Sequence, residues 1–267
     1  MQRLTTFLAA GLLVALTGCA TTGSNPRDPF EPFNRDMYNF NSSLDRTFIK
    51  PVAEAYVDVT PRPARVNVSN FFGNLADIWI GVNNLLQGKP GDAASDLGRV
   101  VVNSTVGILG FFDIASEIGL DKHDEDFGQT LGVWGVGDGP FLVLPLFGPR
   151  TTRDAFGLIP DTYAALPGYI DDIPTRNIVR GVGFVSLRAD LLGTETTLSE
   201  AALDEYSFVR DFYLRRRANL IRDGRRVRDD DAMTTPPVLL AASTGYLTTR
   251  RLALVELDRQ FATPAAE

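Results

Sequence analysis

The sequence predicts a single, predominantly α-helical domain, and three observations support this prediction. Apolar residues recur at intervals of three and four along several segments, which is the period of an amphipathic helix. Strict alternation of apolar and polar residues, the pattern of a half-buried strand, is scarce. The 24 glycines and 16 prolines occur often enough along the chain to separate short helical pieces.

Residues 1–18 have the features of an export signal. Arg3 supplies an early positive charge, and the apolar run from Leu4 to Leu16 is too short for a bilayer span, which needs about 20 apolar residues. Small residues precede Cys19 in the order LTGC, which resembles the lipobox of bacterial lipoproteins. We therefore expect lipidation of Cys19 and a lipidated tether over residues 19–31; the alternative is an ordinary signal peptide with an incidental cysteine.

Composition limits the partners of the mature chain. Cys19 is the only cysteine, so an exported form has no internal disulfide and must be stabilised by its core. The formal net charge of −7 opposes nucleic acid as a partner and electrostatic docking on anionic lipid. No later stretch has about 18 uninterrupted apolar residues, so an ordinary transmembrane helix is not expected. Any membrane association should therefore be apolar and covalent.

Periodicity predicts the helices of the first half of the chain. Pro51 is expected to break the first helix because proline lacks a backbone donor. In the fourth segment, Asp96 and Arg99 are spaced to form an ion pair. The predicted segments are Pro32–Thr47, Ala53–Val59, Asn67–Gly88, Asp92–Val106 and Phe111–Ile118.

Two longer helices are predicted in the second half, over Thr175–Leu192 and Leu198–Ile221. Beyond residue 221 the chain reads RDGRRVRDDDAMTTPP, which is charged and contains few large apolar residues. We therefore expect a helical domain over residues 32–221 and a loosely ordered tail over residues 222–267.

The helix predicted around residues 67–88 is apolar on most of its circumference, with one narrow polar stripe. A helix of this kind is normally buried in a core or faces lipid. In one reading the stripe is the wall of a polar passage; in the other, a buried helix bonds neighbouring backbone through its asparagines. The polar stripe comprises Asn67, Asn70, Asn74, Asp77 and Asn84.

The usual signatures of catalysis and of cofactor binding are missing from the sequence. His123 is the only histidine, and the carboxylates around it lack the ligand spacing of an EF-hand. We expect this loop to cap a helix that starts near Phe127. No G-x-S-x-G elbow or complete phosphate-binding loop occurs. The sequence therefore predicts no catalytic residues, no metal site and no cofactor.

Seven motifs, in this order, resemble the MlaA (VacJ) family of phospholipid-transport lipoproteins. They extend over most of the predicted domain, which makes chance agreement negligible. The motifs are DPFEPFNR (28–35), MYNFN (37–41), NFFGNL (70–75), VNNLLQG (82–88), NSTVG (103–107), EDFGQTLG (125–132) and GPFLVLP (139–145).

The resemblance implies a ring- or disc-shaped helical body in the inner leaflet of the outer membrane, with a central polar passage. It implies association with a trimeric porin, on the periplasmic face, and removal of misplaced phospholipids from the outer leaflet. The lipids would pass to the periplasmic phospholipid carrier of the Mla system. Two alternatives are a structural lipoprotein that only scaffolds a porin or the envelope, and a lipid-modifying enzyme that uses His123.

A segment rich in glycine and proline, Val133–Pro149, is expected to form a short hairpin or loop at the mouth of this passage. We hypothesise that it gates lipid entry, with the four apolar residues 141–144 facing acyl chains. The alternative is an irregular turn that closes the core. The candidate gate residues are Gly135, Gly137, Gly139, Pro140, Phe141, Leu142, Val143 and Leu144.

Overall fold

The computed structural model describes residues 25–201 and 204–223, with side chains except those of residues 194–203. Within these ranges the chain is predominantly helical, as the sequence predicts, with one two-stranded sheet. The described residues up to Arg217 belong to one compact unit, and those from Ala218 to Asp223 belong to a second one. The first unit contains every described element except the last turn of the final helix. The predicted signal, Cys19 and nearly all of the predicted tail lie outside the described residues.

The first helices form a continuous run, and the break predicted at Pro51 is wrong. Helix α1 (Glu31–Leu44) passes through a π-helical turn (Asp45–Ile49) directly into α2 (Lys50–Val59). The backbone N–H of Lys50 donates to the carbonyl of Asp45, five residues earlier, which is the hydrogen bond of a π-helix. The first turn of α2 follows directly. Pro51 lies in that first turn, where a helix does not need its backbone donor.

Helices α3 (Arg62–Leu86) and α4 (Pro90–Thr105) form an antiparallel pair. Pro63 lies in the first turn of α3, and Gly88, with a φ of +75°, follows its end. Polar contacts join the two helices along their length. The partners on α4 increase in residue number as those on α3 decrease, as expected for antiparallel helices. These contacts are Asn84 with Asp96, Asp77 with Arg99, and Asn74 with Ser104.

Two short helices, α5 (Ile114–Glu117) and α6 (Phe127–Val133), precede the sheet. Strands β1 (Phe141–Leu144) and β2 (Gly148–Thr151) pair antiparallel, with the first residue of β1 opposite the last residue of β2. The predicted hairpin is therefore present, and its strands lie in the second half of the expected segment and just beyond it.

The remaining elements are α7 (Thr152–Ala164), a 3-10 turn (Leu166–Tyr169), α8 (Ile173–Ala201) and α9 (Glu205–Ile221). Helix α8 is longer than predicted, and α9 does not start at Leu198. Gly193 directly follows the predicted end at Leu192, but a single glycine inside a helix costs only about 1 kcal/mol, and the helix continues through it to Ala201.

The buried apolar cluster of the described chain is small and includes β1. Phe141 and Val143 pack with Tyr206 and Tyr213 of α9. The ring centroid of Phe141 lies 6.4 Å from that of Tyr206 and 6.1 Å from that of Tyr213. Because so few large apolar side chains are buried, hydrogen bonds and ion pairs determine much of the packing between helices.

Candidate functional site

The described residues distribute polar and apolar side chains in an unusual way. Nine apolar or aromatic residues are buried, four of them alanines, whereas seventeen polar or charged residues are buried. Thirty-three large apolar or aromatic side chains are exposed. Water-soluble monomers rarely expose apolar patches larger than a few hundred Å². This distribution indicates a protein that packs much of its surface against hydrocarbon or against another apolar surface.

Two helices present exposed apolar side chains at helical spacing. On α7, Phe156, Ile159 and Tyr163 are spaced by three and four residues and are 65%, 56% and 75% exposed. On α8 the exposed apolar positions are Ile173, Ile178, Val182, Phe184, Leu187 and Leu191. Over the part of the chain that the structure describes, no helix combines the length and hydropathy of a membrane span.

Residues 106–112, which follow α4, form an apolar loop with a strained backbone. Three consecutive residues, Ile108, Leu109 and Gly110, have positive φ angles of 52°, 57° and 90°. This conformation costs of order 1–3 kcal/mol for a residue with a side chain. Ile108 and Leu109 are nevertheless 61% and 64% exposed. Strain that is retained at an exposed tip is typical of functional segments.

Three asparagines of the polar stripe hold this apolar loop and the end of α4. Asn70 donates to the Phe111 carbonyl at 3.3 Å, and Asn74 donates to the Ser104 hydroxyl at 2.9 Å. With its amide nitrogen turned towards the same carbonyl, Asn67 donates to Phe111 at 3.2 Å. Asn74 is buried, whereas Asn67 and Asn70 are half-buried.

The other two members of the polar stripe are fully buried. Asn84 donates to Asp96 at 2.8 Å, and Asp77 accepts from Arg99 at 3.3 Å and pairs with Lys122. Arg99 is therefore directed to Asp77. The partner that its sequence spacing suggested, Asp96, is not the residue it faces. Burial raises the pKa of Asp77, although the charges of Lys122 and Arg99 oppose this shift. For the buried members of the stripe this placement favours the buried-helix alternative; the passage-wall role stays a prediction.

Arg99 lies at the centre of a buried network that joins α3, α4 and α5. It donates to the Asp113 carboxylate at 2.8 Å and to the Ser116 hydroxyl at 3.0 Å. Burial alone would raise the pKa of Asp113. Hydrogen bonds from Ser116 and Asn103, together with the charge of Arg99, outweigh burial and lower this pKa to about 2. The carboxylate is thus a structural acceptor at the start of α5.

A second buried network joins α6, α7 and α9. Arg217 donates to Asp126 at 2.5 Å and to Asp154 at 2.8 Å. Asp154 also accepts from Tyr213 at 2.5 Å and from Arg153 at 2.9 Å. Burial would raise the pKa of Asp154, but the charge and hydrogen bond of Arg217, with Tyr213 and Arg153, lower it to about 2. These charges therefore anchor the helices to one another.

Two asparagines of α1 bind the outer edge of β1. Asn34 donates to the Phe141 carbonyl at 3.0 Å and accepts from the Val143 N–H at 2.8 Å. Asn41 repeats the pattern further along α1. It donates to the Leu144 carbonyl at 2.9 Å and accepts at 2.8 Å from the backbone N–H two residues further on, in the hairpin turn. Sequence reasoning did not single out either side chain, although both lie in the first two family motifs.

The apolar side chains of β1 alternate between the core and half-buried positions. Phe141 and Val143 are buried, so the expectation that all four face acyl chains does not hold for these two. Successive strand residues point to opposite faces, which leaves Leu142 and Leu144 as the half-buried pair. The turn after β1 exposes two apolar side chains that the sequence analysis did not select, Leu146 and Phe147.

The glycines of the candidate gate differ in what their backbone requires. Gly135 and Gly139 have φ angles of +91° and +66°, which favour glycine, whereas the φ of Gly137 lies outside that region. A Cβ at Gly139 would lie 3.0 Å from that of Thr152, and one at Gly137 would meet open space. The carbonyl of Pro140 accepts from the Thr152 N–H at 3.0 Å. The gating role of this segment stays a prediction.

The loop that contains His123 caps α6. Asp126 accepts a hydrogen bond from the Gln129 N–H at 2.8 Å, as predicted for a helix that starts at Phe127. The ring Nδ1 of His123 lies 3.1 Å from the Asp96 carboxylate, so the imidazole links this loop to α4. Among the described residues, no group of three or more potential metal ligands is arranged around a common point.

Comparison with known proteins gives concordant results. Residues 26–220 match the family described as MlaA lipoprotein. The chain is 37% identical over 208 residues to the intermembrane phospholipid transport system lipoprotein MlaA of Escherichia coli, which is 75% of this chain and 82% of that protein. It is 31% identical over 241 residues to the protein of the same name from Haemophilus influenzae, which is 86% of this chain and 94% of that protein.

A solved structure from work on the structural basis for maintenance of bacterial outer membrane lipid asymmetry is also similar. It superposes with a TM-score of 0.64 at 34% sequence identity, and the match covers 73% of this chain and 98% of that one. The agreement extends over nearly the whole of the solved chain, so the similarity concerns the complete helical fold.

Proposed function

This chain belongs to the MlaA lipoprotein family, and we propose that it removes mislocalised phospholipids from the outer leaflet of the outer membrane. It passes them to the periplasmic phospholipid carrier of the Mla system and so maintains outer-membrane lipid asymmetry. Relatives that match most of this chain are named as lipoproteins of an intermembrane phospholipid transport system. The process needs no covalent chemistry, because a misplaced lipid moves to a lower free energy.

The proposed position of the protein is the inner leaflet of the outer membrane, beside a trimeric porin. Lipid chains on Cys19, at about 0.8 kcal/mol per buried CH₂, hold it on the periplasmic face. One observation carries this proposal: thirty-three large apolar side chains are exposed and nine apolar residues are buried in the described chain. Apolar surface on this scale is favourable against hydrocarbon and unfavourable against water.

A lipid that moves through the protein needs a polar lane for its headgroup and an apolar side for its tails. We assign the accessible part of the passage wall to the half-buried Asn67 and Asn70. Residues 135–144 form the gate at the mouth. Asn34 anchors one end of this segment on α1, while Gly135 and Gly139 supply its left-handed turns.

Deletion of the gene and complementation with the full chain test this function. We expect deletion to raise the phospholipid content of the outer leaflet and the sensitivity to detergent, and complementation to restore both. A lipoprotein that only scaffolds a porin or the envelope would first change porin abundance or cell shape. If surface phospholipid stays at the wild-type level after deletion, the transport proposal is wrong.

A further inference from the structure

An open groove lies where the hairpin turn meets α1, the π-helical turn and α8. Its volume is about 210 Å³. Three of its apolar side chains, Leu146, Phe147 and Phe184, are at least half exposed, so the groove is accessible from outside. A π-helical turn inside a helix frequently occurs at functional sites. The lining consists of Asn41, Leu44, Asp45, Ile49, Leu146, Phe147, Gly148 and Phe184.

The polar side chains of this lining are already bound to the protein. The amide of Asn41 donates to the Leu144 carbonyl and accepts from the Leu146 N–H, at 2.9 and 2.8 Å. The two carboxylate oxygens of Asp45 accept from the Arg188 guanidinium at 2.8 and 2.7 Å. A polar occupant would have to compete for groups that are satisfied, whereas an apolar occupant would not.

We propose that this groove binds a segment of one phospholipid acyl chain. The proposal rests on the transport function above and adds the place where a tail of the transported lipid is held. Sites for drug-sized ligands have volumes of about 300–1,000 Å³. A groove of about 210 Å³ therefore holds part of one chain and leaves the headgroup outside.

The chemistry of the lining distinguishes an acyl chain from a peptide. A peptide carries a backbone donor and acceptor at almost every residue, and each needs a partner when it is buried. A hydrocarbon chain needs none, and the five large apolar side chains of the lining provide its contacts. Because Leu146 and Phe147 belong to the hairpin turn, the hairpin contacts the lipid through its turn and not through the buried side chains of β1.

Photo-crosslinking tests this assignment on the full-length protein in vesicles of phosphatidylethanolamine and phosphatidylglycerol. A benzoylphenylalanine at position 184 reports lipid in the groove, and one at position 163, on the exposed face of α7, reports bulk lipid. We expect Ile49→Trp, which fills the groove, to reduce the lipid captured at position 184 about tenfold and to leave capture at position 163 unchanged. Unchanged capture at position 184 would overturn the proposal, and so would capture there of a protein in place of lipid in whole cells.

A second variant guards against a folding defect. Phe147 is 54% exposed, so Phe147→Ala removes a groove wall without opening the core, and it should also lower capture at position 184. In cells, Ile49→Trp should slow the clearance of surface phospholipid, whereas Val59→Trp, on a side chain that is 79% exposed and outside the groove, should not. If wild type fails to complement the deletion, the transport function is wrong. If wild type complements and Ile49→Trp clears lipid equally well, only the groove is wrong.

Discussion

Asn34 of α1 accepts a hydrogen bond from the backbone N–H of Val143 in β1, at 2.8 Å and across 109 residues of sequence. Its side-chain nitrogen donates to the Phe141 carbonyl, so one asparagine pairs with two of the backbone groups that a third strand would bind. An isolated two-stranded hairpin is marginally stable, and the edge of a sheet needs partners. The position of the hairpin is therefore set by α1.

Replacing Asn34 tests this relationship. Asn34→Ala leaves the Val143 N–H and the Phe141 carbonyl without partners in a buried environment, and it should lower the free energy of unfolding by about 1–3 kcal/mol. Denaturant unfolding in detergent measures the change. The matched control is Asn39→Ala on the exposed face of the same helix, which should change stability by less than about 0.5 kcal/mol. Equal effects of the two variants would contradict the clamp.

The gate hypothesis predicts different effects at two neighbouring glycines. Gly139→Ala places a Cβ 3.0 Å from Thr152 at a φ of +66°, so it should displace the segment and slow clearance of surface phospholipid. Gly137→Ala meets open space at a permitted φ and should clear lipid at the normal rate. The readout is outer-leaflet phospholipid in deletion cells that carry each variant at equal membrane abundance. Normal clearance with Gly139→Ala would exclude a gate that depends on this conformation.

The network around Arg99 should be one of the most sensitive points of the fold. Arg99→Met leaves the buried carboxylate of Asp77 and the half-buried carboxylate of Asp113 without their shared cation and should cost about 3–5 kcal/mol in unfolding free energy. Thermal unfolding, or the fraction of folded protein recovered in detergent, measures this loss. Arg62→Met, on an exposed side chain of α3, serves as the control. A stable Arg99→Met protein would show that the network contributes little.

Asp154 predicts how stability depends on pH. Its pKa falls from 3.8 to about 2 on folding, against the effect of burial, because Arg217, Tyr213 and Arg153 stabilise its charge. A carboxyl group whose pKa is lowered by folding stabilises the protein at pH values above the pKa it has in the unfolded chain, which is near 4. This contribution is lost as pH falls through about 2. At about 1.4 kcal/mol per pKa unit, it amounts to roughly 2 kcal/mol.

The measurement compares the free energy of unfolding of wild type and Asp154→Asn between pH 5 and pH 2. The loss of stability on acidification should be smaller in Asp154→Asn, while Asp171→Asn, on an exposed loop, should follow wild type. Identical acid profiles for wild type and Asp154→Asn would contradict this prediction.

Much of the helical arrangement follows from local pattern. The periodicity of apolar residues predicts a helix over 67–88, and the structure has α3 from Arg62 to Leu86. The two agree because the face of a helix repeats within a few residues, so a short segment is enough to reveal it. The run through Pro51 is not predictable in this way, since the π-helical turn before it leaves no periodic signal. The boundary between α8 and α9 is predicted too early for a different reason: Gly193 is a common helix-end signal, but α8 continues through it to Ala201 and α9 starts at Glu205.

The candidate site is predictable only in part. The glycines and prolines of residues 133–149 predict the hairpin, but residues 141–144 are all apolar, so the sequence does not show that the strand has a buried and a half-buried face. Which face is buried depends on Tyr206 and Tyr213, which follow more than 60 residues later in the chain. The exposed turn residues Leu146 and Phe147 are indistinguishable in sequence from core residues.

The sequence by itself determined the helical class, the polar stripe and the approximate place of the hairpin, because each depends on the order of residues within a short segment. Only the tertiary structure decided what these features contact. Asn34 and Asn39 are both asparagines of one helix, yet only the first is buried against β1. The physical reason is that a hydrogen bond depends on distance and direction in space, and helix packing brings its two partners together from segments 109 residues apart.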